Sequence, residues 1–190
     1  MKARLFVTAV AAALNVFASA GASARGEGSW TKSLQPDAAF IQYGGGTRTS
    51  TLTAGLQWQP SWRMPLLGGS LSTYIEASLG RWALDGEPRA SAWVTQIGLT
   101  PVLRWRPGAE DGRWFAEAGI GVNLVAPVYR SENRQFSTTF NFGDHLGLGR
   151  NFGAKREHEL ALRYEHFSNA GISHPNPGMN FVQLRYTYAF

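Results

Sequence analysis

The stretch Trp114-Phe115-Ala116-Glu117-Ala118-Gly119-Ile120-Gly121-Val122-Asn123-Leu124 decides the fold. Its even positions, Trp114, Ala116, Ala118, Ile120, Val122 and Leu124, are apolar or small, whereas Glu117, Gly119, Gly121 and Asn123 take the odd ones. A period of two puts the two sets on opposite faces of a β-strand. Residues 71–79 alternate in the same way, with Leu71, Thr73, Ile75, Ala77 and Leu79 against Ser72, Tyr74, Glu76 and Ser78. In 93–105, Trp93, Ile97, Leu99, Leu103 and Trp105 oppose Gln96, Gly98, Thr100 and Arg104. Tryptophan at both ends of a strand is the placement of interfacial girdles.

Extending the test predicts eight strands, at about 38–43, 51–59, 71–84, 93–106, 114–125, 136–150, 158–167 and 181–190. Runs of Gly, Pro, Asn and Asp separate them, as turns require. A membrane-spanning strand takes about 9–11 residues, so eight of them fit the chain with loops to spare. An even, closed set of antiparallel strands leaves no edge, which is how a sheet satisfies its backbone in lipid. A soluble sandwich or lipocalin-like barrel would carry a charged outer face. Here the second face is Gly, Ser, Thr, Asn and Gln with a few ions, Glu76, Arg104, Glu117, Arg163, Glu165 and Arg185, that can pair inside a narrow lumen. The predicted fold is therefore all-β, an eight-stranded antiparallel transmembrane β-barrel. The ending Leu184, Tyr186, Tyr188, Phe190 resembles the C-terminal signature of bacterial outer-membrane barrels.

Composition agrees. The 190 residues are 44% hydrophobic, 13% aromatic and only 16% charged, which excludes a disordered chain. The absence of cysteine excludes a disulfide scaffold, a thiol nucleophile and a Cys-ligated metal. Lys2 and Arg4, the apolar run 5–17 and Ala22-Ser23-Ala24 read as a signal peptide over 1–24, leaving 25–190 as the barrel domain. Cleavage removes two cations and no acid from a net charge of +5. The remaining cations are scattered singly, so nucleic acid is not an expected partner. With both termini in the periplasm, the segment 168–180 is extracellular.

Chemistry is predicted at the end of the seventh strand. His166 and Ser168 share parity with Leu160, Leu162 and Tyr164, so imidazole and hydroxyl face lipid near the outer leaflet, whereas Glu165 faces the lumen. Polar groups on a lipid face are costly, which points to a hydrolytic site with His166 as base for Ser168. The same pair is also accommodated by water at headgroup level, and spacing alone leaves that reading open.

The run His166-Phe167-Ser168-Asn169-Ala170-Gly171-Ile172, followed by Pro175-Asn176-Pro177-Gly178, resembles the signature of the lipid A 3-O-deacylase (PagL) family. The resemblance implies an outer-membrane serine esterase that removes the ester-linked 3-hydroxyacyl chain from position 3 of lipid A, in lipopolysaccharide of the outer leaflet. It implies Ser168 as nucleophile and His166 as general base. The family's third member is a Glu fourteen residues beyond the His, where this chain has Asn180. Asn can accept the imidazole N–H but brings no charge, and Asp144, of matching parity in the sixth strand, is the second choice. Asn169, Gly171 and Asn176 are candidate oxyanion donors, although Asn and Gly are also what a tight loop selects. A covalent serine mechanism calls for no cofactor. His145, His158 and His174 are too dispersed to predict a metal. Arg48, Arg89, Arg130 and Arg134 fall in the outward loops, within reach of lipid A phosphates or simply solvated. The alternatives are a non-enzymatic structural or adhesin-type barrel and an acyl transferase with a pocket in the lumen. Whether the barrel pairs as a homodimer is left open.

Overall fold

The computed structural model describes residues 35–84, 93–108, 112–131 and 134–190. The predicted leader 1–24, the turn at 85–88 and Arg89 lie outside the described residues. Nine strands follow in chain order: β1 Ala38–Gly46, β2 Thr49–Trp58, β3 Arg63–Leu66, β4 Gly69–Leu84, β5 Trp93–Pro107, β6 Trp114–Ala126, β7 Phe140–Phe152, β8 His158–Ser168 and β9 Met179–Ala189. Every pairing is antiparallel, in the order β2-β1-β9-β8-β7-β6-β5-β4-β3, and β2 also pairs with β4. That last contact closes the sheet into a barrel of eight long strands.

The ninth strand sits in the segment expected to be a turn. β3 pairs with the first residues of β4, Gly69 to Ser72, while β2 pairs with its remainder from Ile75 onward. β2 and β3 thus share one edge of β4, interrupted around Pro60, which has no N–H to donate. The sixth long strand begins later than expected, at Phe140 rather than 136. Phe136 is buried inside the barrel instead, because an aromatic cluster claims it.

The alternation holds on the observed sheet. Ile120 and Leu146 are 68% and 66% exposed, facing outward, whereas Glu117 and Arg163 on the other parity are 4% and 0% exposed. Exposed side chains such as Leu99, Leu148, Leu162 and Leu184 complete an apolar belt of the kind that faces lipid in transmembrane barrels. Trp62, Trp114, Tyr188 and Phe190 border one end of it, and Tyr43, Trp93 and Phe140 the other.

The lumen is filled in two layers. In the middle, Arg163 contacts Glu76 at 3.2 Å and Glu117 at 2.6 Å, and Arg185 contacts Glu76 at 2.6 Å. Arg104 joins Glu117 at 2.9 Å and Glu159 at 2.7 Å. The lumen glycines make room for these groups: a Cβ at Gly119 would lie 2.5 Å from the His145 ring, and one at Gly149 2.3 Å from Phe115. At the loop end Trp82, Val94, Val125, Tyr129, Phe136, Phe167, Met179 and Phe181 form an apolar plug. The described chain starts and ends at the opposite end, where Phe190 N–H donates to the Asp37 carbonyl at 3.0 Å.

Candidate active site

The register of three strands builds the site. β7 pairs Asp144 with His166, and β9 pairs Asn180 with His166. All three side chains face outward, so they stand in one row across the sheet, with Ile120 of β6 next to Asp144. Ser168, two residues beyond His166, shares its face and lies opposite Phe142. Behind the row, Phe167 and Phe181 point inward onto Trp82, with ring centroids 4.9 and 5.0 Å away. The aromatic plug therefore holds the two strands that carry His166 and Asn180 from the inside.

His166 Nδ1 lies 2.5 Å from Asn180 Oδ1. With Nδ1–H donating to the amide oxygen, Nε2 keeps its lone pair and can take a proton. Asp144 is exposed beside the ring and makes no hydrogen bond to it among the described residues. Glu165 faces the lumen, where it accepts from Gln42 at 3.3 Å and from Gln183. The sheet thus sets His166, Asn180 and Asp144 in one row with Ser168 on the same face, shows no hydrogen bond between Ser168 and His166 among the described residues, and leaves Glu165 on the far side.

The loop after β8 is organised by Asn169, which is 1% exposed. Its Nδ2 donates to Ser137 Oγ at 3.0 Å, Thr138 Oγ1 at 3.2 Å and the Ser173 carbonyl at 2.9 Å. Its Oδ1 accepts the Gly171 N–H at 3.0 Å, and its own N–H donates to Asn176 Oδ1 at 3.1 Å. Asn169 and the Gly171 amide are thus engaged in building the loop in this state. The chain bends through Ala170 and Gly171 at φ +52° and +80°.

One residue beside the site escaped residue-by-residue reading. Gly178, at φ +66°, lies against the imidazole so closely that a Cβ there would be 2.7 Å from His166 Cε1. Arg134 Nη1 donates to its carbonyl at 3.3 Å. Its signal is its place in Pro175-Asn176-Pro177-Gly178, where a turn glycine looks like ordinary loop chemistry. The other histidines are dispersed: His145 in the lumen, His158 stacked on Phe152 at the far end, His174 in the loop. Among the described residues no group of three His, Cys, Asp or Glu converges.

The sequence model of the family described as lipid A 3-O-deacylase (PagL) matches residues 51–189, from β2 through the end of β9 and across the whole site. The chain belongs to this deacylase family. The lipid A deacylase PagL of Bordetella bronchiseptica is 37% identical over 152 residues, covering 79% of this chain and 82% of that one. The protein of the same description from Pseudomonas aeruginosa is 28% identical over 138 residues, 73% of this chain and 76% of that one. The crystal structure of the outer membrane enzyme PagL aligns with TM-score 0.70 at 24% identity, covering 80% of this chain and 99% of that chain, a likeness of fold. Deacylase membership makes this barrel an outer-membrane acyl-ester hydrolase.

Proposed function

We propose that the chain hydrolyses the 3-O-linked acyl ester of lipid A from the outer leaflet, with Ser168 as nucleophile and His166 as general base. The observation that supports this most is the 2.5 Å contact of His166 Nδ1 with Asn180 Oδ1, made on the lipid-facing side of the barrel two residues from Ser168. A general base needs its imidazole oriented by a hydrogen-bond acceptor at Nδ1, and Asn180 stands where it can supply one. Nε2 takes the hydroxyl proton as Ser168 Oγ attacks the ester carbonyl. The tetrahedral intermediate then expels the sugar oxygen, which leaves with that proton and restores the hydroxyl at position 3. Water, deprotonated by the same nitrogen, attacks the acyl-enzyme and releases the 3-hydroxy fatty acid.

The oxyanion needs donors that are not already spent. Asn176 uses Oδ1 on the Asn169 amide, so its Nδ2 protons are the best suited of the three candidates, and Asn169 and Gly171 hold the loop in shape around it. With lipid A in the outer leaflet, the loop end faces outward and the termini face the periplasm. The lumen glycines are occupied by neighbouring side chains, which gives an interior acyl-transfer pocket no support. Residues 1–24 serve as the leader in this reading.

The test is mass spectrometry of lipid A incubated with the refolded protein, alongside Ser168→Ala and His166→Ala. Loss of one 3-hydroxyacyl mass with the unsubstituted protein, and at least ~10³-fold slower loss with either variant, is expected. An unchanged lipid A mass with a heat-modifiable, folded barrel would overturn the assignment.

A further inference from the structure

The connection between β6 and β7 turns back into the mouth of the barrel. Residues 129–131 and 134–136 lie antiparallel, joined by the bridge between Arg130 and Gln135. Phe136 N–H donates to the Tyr129 carbonyl at 2.9 Å, and Ser131 N–H to the Arg134 carbonyl at 2.7 Å. The aromatic side chains of this segment anchor it, because Tyr129 and Phe136 are buried and pack edge-on to Trp82 at 6.0 and 6.4 Å. Tyr129 Oη also lies 3.3 Å from Thr49 Oγ1, which ties the segment to β2 across the barrel.

From that fixed base the connection reaches the site at two places. Ser137 and Thr138 hold Asn169, and Arg134 Nη1 donates to the Gly178 carbonyl at 3.3 Å. The second contact bears on the imidazole, since Gly178 is the residue packed against His166 Cε1. Gly178 stands at φ +66° between Pro177, whose ring locks its own φ, and Met179, which is buried in the aromatic plug. The rotational freedom in this stretch therefore sits at Gly178, where the lack of a Cβ lets the peptide turn at little cost. The carbonyl bound by Arg134 belongs to that peptide, so the guanidinium sets its direction and keeps the turn pressed on the ring.

We infer that Arg134 is a positioning residue for the general base: it clamps the Gly178 carbonyl and keeps the 175–178 turn against His166, while Asn180 holds Nδ1. The inference rests on the reading of His166 as the base for Ser168. A guanidinium suits the task, because it stays charged at any working pH and a charged donor binds a carbonyl more strongly than a neutral one. An imidazole confined by both partners keeps Nε2 aimed, and a displacement of about 1 Å is enough to cost a large part of the rate.

The test reads the nucleophile directly. The refolded barrel in detergent is treated with a fluorophosphonate, which an activated serine hydroxyl attacks at phosphorus with loss of fluoride, its proton passing to the base. The probe carries no saccharide and no lipid A phosphate, so a contact with substrate does not enter. Arg134→Ala should slow labelling about tenfold or more while the end point stays stoichiometric, and kcat for lipid A deacylation should fall by the same factor with KM unchanged. Arg134→Lys, which can still donate to the carbonyl, should recover most of both rates. Combined with Gly178→Ala, Arg134→Ala should add little further loss. Labelling at the natural rate in Arg134→Ala overturns the proposal, as does a reduced end point at an unchanged rate, the mark of a residue that only keeps barrels folded. A rise in KM alone overturns it in favour of substrate binding. Ser168→Ala and His166→Ala run alongside, and full labelling in either would bring down the reading of the site itself and the clamp with it.

Discussion

His166 touches the residues that decide how good a base it is. Asn180 fixes its tautomer but leaves an imidazolium without a counter-charge, and the carboxylate that shares its row is Asp144. Asn180→Glu puts an anion against Nδ1, so kcat for lipid A deacylation should rise about tenfold with KM little changed. Asp144→Asn should lower kcat by a similar factor in the natural background and by much less beside Glu at 180. Effects of the two substitutions that simply add would exclude a shared electrostatic role. Gly178→Ala tests the ring's other side. Its Cβ, forced to a positive φ and 2.7 Å from Cε1, should tilt the imidazole and cut activity at least tenfold while the folded fraction in a gel-shift assay stays the same.

The loop joining β8 to β9 is an element in its own right, because one buried side chain ties two of its backbone groups to each other and to the segment before β7. Asn169→Ala removes the acceptor of the Gly171 N–H and the donor to the Ser173 carbonyl and the Ser137 hydroxyl. The local cost is about 1–3 kcal/mol, enough to open the loop but not a closed barrel. Limited proteolysis should then cleave between 169 and 178 while the heat-modifiable band persists, and deacylation should fall with it. Ala170→Gly acts in the opposite sense. Relieving a φ of +52° should stabilise the loop by about 1 kcal/mol, read as slower proteolysis at the same sites.

For the whole molecule, stability rests on an interior that is ionic in the middle and aromatic at the loop end. Arg163 touches both Glu76 and Glu117, so Arg163→Met removes one buried positive charge from the network and leaves Glu76 to Arg185 and Glu117 to Arg104. The expected loss is about 3–5 kcal/mol, measured as a lowered urea midpoint for the refolded barrel in detergent micelles. An unchanged midpoint would mean that Arg185 and Arg104 are enough to hold both acids. The aromatic plug around Trp82 serves function more directly, since Phe167 and Phe181 alternate with the outward His166 and Asn180 along their strands. Interior packing and exterior chemistry are thereby coupled through a single layer of backbone.

The architecture was legible because lipid imposes a simple rule on strands. Alternation at 114–124 and 93–105 and an even strand count point to a closed barrel, and parity alone places His166 and Ser168 outside and Glu165 within. The short β3 and the late start of β7 were not legible. Both depend on which neighbour a segment meets, Pro60 interrupting the ladder in one case and the plug capturing Phe136 in the other. Parity says which face a side chain takes, but only register says what stands beside it. That Asn180 and Asp144 flank the same imidazole, that Asn169 is spent on its loop, and that Gly178 lies against His166 all follow from pairings between strands and loops far apart in the chain. A period of two carries no information about those offsets, so the tertiary structure alone decides them.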